Sequence, residues 1–438
     1  MIYLLLGAGV WFTWRTKFIQ LRYIRQFSRS LKKSLQPQPG GLTSFQALCM
    51  SLAARVGSGN MAGVALYHYR RWPRRRFLDV GLGAARHGTS SFAECSLAQL
   101  YKERDSRGHF RGGPAWYMAR GLGMRWMGVL FSILLLLAYG VIFNTVQANS
   151  VAHAMEYAFR LPDVITGGVL AALTLLVIVR GIRGVARLMQ WLVPLMALLW
   201  VLTSLIIGLW HITALPTIFE IIFRCAFGWQ EAAAGAVGYT ISQALTSGFQ
   251  RGMFSNEAGM GSTPNSAAAA ASWPPHPAAQ GIVQMIGVFI DTIVICTASA
   301  VIIMLAPRDG NEEAASGIQA IQHSMSNLVG DWGSSFVAFI VLLFAFSSIV
   351  ANYIYAENNL IFLRMDSLRN IWLLRLLTLC MVVTGAMVSL PVVWQMADII
   401  MALMAITNLT AILLLSPTVR IIASDYLRQR KLGQRYGI

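Results

Sequence analysis

The amino-acid sequence predicts an all-α integral membrane protein of about eleven transmembrane helices. Three observations carry that expectation. The 438 residues are 56% hydrophobic and 12% charged, with a mean hydropathy of +0.57. A soluble domain carries about 25% charged residues, and so apolar a chain lacks the polar groups to cover itself in water. A bilayer removes the difficulty, because helices satisfy their own backbone and the outside is apolar. The net charge of +17 is not spread as on a nucleic-acid-binding surface; lysines and arginines fall in short clusters between apolar runs. Finally, two of the apolar runs are interrupted by glycine in related sequence contexts.

In order, spans are expected over 2–14, 43–66, a damaged one ending near Tyr101, 124–150, 163–180, 185–210, 232–253, 277–305, 334–360, 370–390 and 392–416. No linker divides them, so 1–438 reads as one membrane domain with a basic segment over 15–42 and a basic tail over 417–438. The first run, Ile2 to Trp14, falls short of the roughly 20 residues a span needs and reads as the remainder of a longer helix. No cleavable signal peptide is evident. Of the 35 lysines and arginines, 25 lie in loops or ends on one side of this arrangement and 3 (Arg160, Arg224, Arg308) on the other. Basic loops stay inside, so the first side, with the C-terminus, is expected in the cytoplasm of a cell bounded by a bacterial inner membrane. Of the five cysteines, Cys49, Cys95, Cys225, Cys296 and Cys380, four lie in apolar stretches and none forms a CxxC pair. They read as small buried hydrophobes.

The span 43–66 reads SFQALCMSLAARVGSGNMAGVAL over its core, with Gly57, Gly59 and Gly63 crowded together. Glycine costs a helix about 1 kcal/mol relative to alanine. Close packing of neighbouring helices explains such glycines equally in general. The alternative is a helix unwound near Val56–Gly59, freeing backbone groups that need a polar ligand or ion at membrane depth. A second segment matches it. Gln46-Ala47-Leu48, Arg55 and Asn60-Met61-Ala62-Gly63 correspond to Gln243-Ala244-Leu245, Arg251 and Asn256-Glu257-Ala258-Gly259, at offsets of 197 and then 196. An odd number of spans, five, separates the starts of the copies, so they cross the membrane in opposite directions. Interrupted spans at matching places in inverted halves point to a transport site.

The run SFQALCMSLAARVGSGNMAGVA strongly resembles the alanine/glycine:cation symporters, the sodium:alanine symporter family. So do SFAECSLAQLYKERDSRGHFRGGPAWYMARGLG at 91–123, GFQRGMFSNEAGMGSTPNSAAAA at 248–270 and AFSSIVANYIYAENNL at 345–360. The resemblance implies a leucine-transporter-type fold of two inverted five-helix repeats, placed at 43–210 and 232–416, with the first span peripheral. It implies symport of a small neutral amino acid, alanine or glycine, with Na⁺ as coupling ion and H⁺ the alternative; no cofactor is implied.

One stretch does not fit. Between Leu66 and Ser90 the chain reads LYHYRRWPRRRFLDVGLGAARHGTS, with six arginines where the family has a loop and an apolar helix. One arginine at the bilayer centre costs about 2.5–3.5 kcal/mol, so the block cannot be a span. Reading its codons one nucleotide later permits Ile-Thr-Ala-Gly-Gly-Pro-Gly-Ala-Val-Phe-Trp-Met-Trp, the family's own motif after the first broken helix. A compensated frameshift over 66–90, in the gene or in its sequencing, is therefore expected, with the frame restored near Thr89. A basic cytoplasmic loop or lipid-binding patch is the alternative.

An amino-acid zwitterion needs donors for its carboxylate and acceptors for its ammonium. Exposed N–H groups at an unwound turn supply the former. The backbone at Ser58 and Gly59, the Ser58 hydroxyl and Asn60 are the candidates, the family's alanine-binding turn falling here with threonine usual in place of serine. Sodium prefers oxygen ligands, and carbonyls freed at Ala53 and Val56 suit it. The resemblance adds the adjacent Ser347 and Ser348 for the ion. For the substrate it adds Gln147, with Asn144 near by, then Thr246, Gly248 and Phe249 in the second broken helix, and Asn352, where relatives carry tryptophan. Buried acids are functional candidates by default: Asp291, Asp398 and Glu94, in ion coupling or in structural pairs with Arg55 or Arg251. Glu257 and Glu357 lie nearer span ends and are expected at the cytoplasmic face.

No GxxxxGK[ST] phosphate loop occurs. The seven histidines lie mainly in loops or the arginine-rich stretch, without the convergent pairs an enzyme would show. A channel would not need paired unwound helices.

Overall fold

The computed structural model describes residues 2–24, 31–32, 34–36, 40–61, 83–226, 255–306, 317–388 and 390–436. In chain order the elements that matter are α1 (Ile2–Arg15), α2 (Ser44–Arg55), α3 (Gly83–Leu100), a hairpin of β1 (Glu103–Arg104) and β2 (Phe110–Arg111), and α4 (Arg125–Phe159). They continue with α5 (Asp163–Ile178), α6 (Gly181–Trp210), α7 (Thr263–Ala269), α8 (Pro277–Leu305), α9 (Trp332–Phe362), α10 (Leu368–Met387), α11 (Leu390–Leu414) and α12 (Ser416–Tyr436). Among the described residues six helices are long and apolar enough to cross a membrane, α4, α6, α8, α9, α10 and most of α11, with α5 a shorter apolar helix.

Most of these fall within a few residues of the expected spans. The helix expected over 124–150 instead continues to Phe159. Its polar residues find partners inside the bundle and do not end it: Asn149 donates to Gly385 O and Val388 O, at 3.2 and 2.6 Å. The span expected over 232–253 and residues 66–82 of the arginine-rich stretch lie outside the described residues.

Burial sorts the helices into two kinds. On α6, Trp191, Leu195, Leu198, Leu202, Leu205 and Leu209 are all exposed, at helical spacing, the mark of a face turned to lipid. On α9 every residue from Ser347 to Leu360 is buried, and so is nearly all of α2. The inner helices α2, α4 and α9 therefore form the centre. Cys49, Cys95 and Cys296 are buried as expected, but Cys380 is exposed; on a lipid-facing surface a small apolar side chain has no need of burial.

Thr43 starts α2 through a capping box. Its hydroxyl accepts from Gln46 N–H at 3.0 Å while the Gln46 side chain accepts from Thr43 N–H at 3.1 Å.

Candidate functional site

The helical bonding of α2 stops within one turn. Val56 N–H still reaches Leu52 O at 2.7 Å. In a continuous helix the Ala53 carbonyl would next accept from Gly57 N–H, and the Ala54 carbonyl from Ser58 N–H. Instead Gly57 N–H turns back to Arg55 O at 2.9 Å, and a 3₁₀ turn follows at Ser58–Asn60. The two groups so released are met by side chains from other helices. Ser58 N–H donates to Gln147 Oε1 of α4 at 2.9 Å. The Ala53 carbonyl accepts from Ser348 Oγ of α9 at 2.7 Å. Glycine at 57 permits this close approach: a Cβ there would stand 2.5 Å from Gln147 Nε2 and 2.8 Å from Ser348 Oγ, so both side chains would have to shift.

Ser58, Gly59 and Asn60 are buried, and the Ser58 hydroxyl has no partner among the described residues. Asn352, one turn along α9 from Ser348, donates to Asn144 Oδ1 at 3.0 Å; Asn144 in turn lies one turn along α4 from Gln147. The two amides therefore form a polar layer beside the break. Ser347 points elsewhere: its hydroxyl donates to Phe344 O at 2.9 Å and lies 3.6 Å from Met196 Sδ on α6. Thr246, Gly248 and Phe249 lie outside the described residues. The structure thus brings together Ala53, Val56, Ser58, Gly59, Gln147 and Ser348, with Asn60 and Asn352 at the margins.

Two features of the surroundings were not legible in the sequence. Asn60 donates to Asp291 Oδ1; Ser255 Oγ reaches Asp291 Oδ2 at 2.9 Å and Asn60 Oδ1 at 3.1 Å. Asp291 sits in a π turn, Ile290–Ile295, within α8. Asn60 belongs to the first glycine-interrupted copy and Ser255 adjoins Asn256 of the second, so the two copies meet at one carboxyl group. Arg55, the last residue of α2, was a candidate partner for Asp291. It bonds neutral groups instead: Thr263 Oγ1 at 2.7 Å, Ser91 Oγ at 3.2 Å and Gln284 O at 3.4 Å. Asp398 is half-buried on α11, and Arg251 lies outside the described residues.

Glu94 is fully buried, accepting from Asn408 Nδ2 at 2.9 Å and Gly259 N–H at 3.4 Å. Glu257 and Glu357, expected nearer span ends at the cytoplasmic face, are both buried. Glu257 accepts from Ser262 Oγ at 2.7 Å, and Glu357 faces Arg111 at 3.5 Å. The sequence places Glu357 near the end of its helix, but a hairpin far away in the chain covers that end.

At the break, then, carbonyls at the C-terminal, negative end of α2 and N–H groups at the following turn lie side by side. The first suit a cation and the second a carboxylate. Gln147 and Ser348, both neutral, hold the two sets in place. A many-helix membrane bundle with such a turn at its centre is a multi-pass membrane transporter. The chain belongs to the sodium:alanine symporter family, whose model matches residues 1–437. It is 67% identical to the uncharacterized transporter YaaJ of Escherichia coli K12, over 99% of this chain and 91% of that one. It is 42% identical to the probable sodium/glutamine symporter GlnT of Bacillus subtilis (99% and 89% covered). It is 35% identical to the sodium/alanine symporter AgcS of Methanococcus maripaludis (96% and 92%).

Proposed function

We propose that the chain is a secondary active symporter that imports a small neutral amino acid, alanine or glycine, together with Na⁺. The observation that supports this is the exchange of partners at Ala53, Gly57 and Ser58, where main-chain groups leave the helix and are held by Gln147 and Ser348. The substrate carboxylate takes the N–H groups of Ser58 and Gly59 and the Ser58 hydroxyl. Asn60, Gln147, Thr246, Gly248, Phe249 and Asn352 surround the rest of it. Na⁺ takes the carbonyls of Ala53 and Val56 with Ser348, and Ser347 in a state where it turns toward them. Cargo and ion bind together, the repeats rock against one another, and both leave on the arginine-rich side, which is the cytoplasmic one.

Uptake of labelled alanine, glycine and glutamine into proteoliposomes, with and without an inward Na⁺ gradient, tests the reading. Saturable alanine or glycine accumulation that follows the gradient supports it; unsaturable flux would make the protein a channel, and a preference for glutamine would move the substrate. The arginine-rich stretch favours a second reading, a frameshifted and inactive relative. A frame-corrected chain that transports while the present chain does not is the result expected from it.

A further inference from the structure

Both ends of the half-helix α2 are fastened to the same short helix of the other half, α7. At its inner end Arg55 bonds Thr263, the first residue of α7. At its outer end, just before the Thr43 cap, Leu42 N–H donates to Ala269 O at 3.0 Å and Leu42 O accepts from Ala271 N–H at 2.9 Å. This outer junction lies at the mouth of the arginine-rich face, and it does not stand alone.

The β1–β2 hairpin lies across it. Phe110 carries Lys102 on its ring, 4.1 Å from the centroid, and Arg104 at 4.7 Å. It packs against Gly41, where a Cβ would come 2.8 Å from the Phe110 ring and 3.0 Å from Ala271 Cβ. The Lys102 ammonium reaches over α7, donating to Ala270 O at 2.7 Å and Gln99 Oε1 at 2.8 Å. It thereby caps the carbonyl end of that helix, where positive charge is favoured. Beyond Phe110 the hairpin is tied to α9. Asn358 Nδ2 donates to Gly112 O at 2.8 Å, and Arg111 lies between Asp105, at 3.0 Å, and Glu357, at 3.5 Å.

A loop that merely connected two spans would lie on the surface and be satisfied by water. This one turns Phe110, Lys102 and Arg111 to three other elements: the chain before α2, the end of α7 and the end of α9. Those elements come from both halves of the molecule. These contacts tie the chain before α2, the end of α7 and the end of α9 together on one side of the break.

We propose that the hairpin at 101–113 is a strap that holds this mouth shut and that its contacts to Ala270 and Glu357 part each time cargo is released. The inference rests on the symport reading above. Charged and backbone contacts at a water-facing edge suit such a device, since water replaces each of them when it opens.

The test uses the whole chain in proteoliposomes. Gly112→Cys with Ala268→Cys places sulfurs across the strap, the glycine's would-be Cβ lying 2.8 Å from Ala268 Cβ. Oxidation is expected to remove uptake at least tenfold, and a reductant to restore it, while neither single variant responds. A cross-linked protein, verified by mass, that transports at the reduced rate overturns the strap. Gly41→Cys with Ala271→Cys, which locks together the two elements beneath the strap, serves as a second pair if the first does not fold. Hydrogen exchange in nanodiscs reads the strap without any cargo, and so separates its failure from that of the symport reading. Lys102→Met with Glu357→Gln is expected to speed exchange of residues 40–44 and 101–113 together, by about tenfold. Acceleration of 101–113 alone would show an ordinary loop.

Discussion

The central break and the hairpin at the arginine-rich mouth use polar groups in opposite ways. Around Gly57 the partners of the main chain, Gln147 and Ser348, are neutral, buried and matched one to one with the groups that left the helix. Around Phe110 the contacts are made by Lys102, Arg104, Arg111, Asp105 and Glu357, in part water-accessible. The difference follows from what each region has to do. On the symport reading, a turn that takes a zwitterion and a cation and then gives them up is served by neutral partners, since a full charge in direct contact would hold one of them firmly in a low-dielectric interior. A closure at the membrane edge pays little to expose its charges and can use several.

Substitutions sharpen this contrast. The largest effect is expected at Gly57→Ala. The new methyl group meets Gln147 and Ser348 at once, and overpacking of about 1–3 kcal/mol corresponds to roughly a 5- to 150-fold loss of uptake. Ser348→Ala removes the donor to the Ala53 carbonyl. A buried acceptor left unmade costs about 1–3 kcal/mol, so the Na⁺ concentration for half-maximal uptake should rise about tenfold, with a smaller change in amino-acid KM. Gln147→Met leaves Ser58 N–H without its acceptor and should do the reverse, raising amino-acid KM more than the Na⁺ requirement; equal shifts in both variants would erase the division between the two sides of the break. These are read from initial uptake rates at varied cargo and ion.

The hairpin carries titratable groups of its own, outside the membrane-spanning helices. Burial raises the Asp105 carboxyl, but the His109 N–H and the Arg111 guanidinium, with the Arg107 N–H, outweigh it and hold the group below its ordinary value. A depressed carboxyl contributes stability above its unfolded value of about 4, and loses it as pH falls through the folded value. Lys102 is pushed down to about 8, by burial and then by Arg104. The unfolded chain then binds that proton more tightly, so the hairpin gains stability between about pH 8 and 10. The protection factors of amides 103–111, taken against intrinsic exchange at each pH, are therefore expected to fall only below about pH 4 and to rise modestly above 8; a rise on acidification would reverse the sign of the account.

The sequence showed the break for a local reason. Gly57 and Gly59 lower helix stability wherever they stand, and Gln147 is conspicuous inside an apolar run. The partners of Arg55 were not legible, because Thr263, Ser91 and the Gln284 carbonyl are neutral groups from 36 to 229 residues away and nothing in their local pattern marks them. Ser347 and Ser348 look alike in sequence; only the rotation of α9 gives Ser348 to Ala53 and Ser347 to α6. The hairpin carries too few residues for any periodicity, and its place over Glu357 depends on a contact spanning most of the chain. The sequence places Glu357 near a span end, and only the fold shows that the hairpin covers it.

A density map of the chain in nanodiscs, with alanine and Na⁺ present, addresses the central idea without intermediaries. The amino-acid carboxylate should lie against the Ser58–Gly59 backbone, with an ion beside the Ala53 carbonyl and Ser348. Alanine bound away from an empty break, or a turn at 56–60 wound back into regular helix, would contradict it.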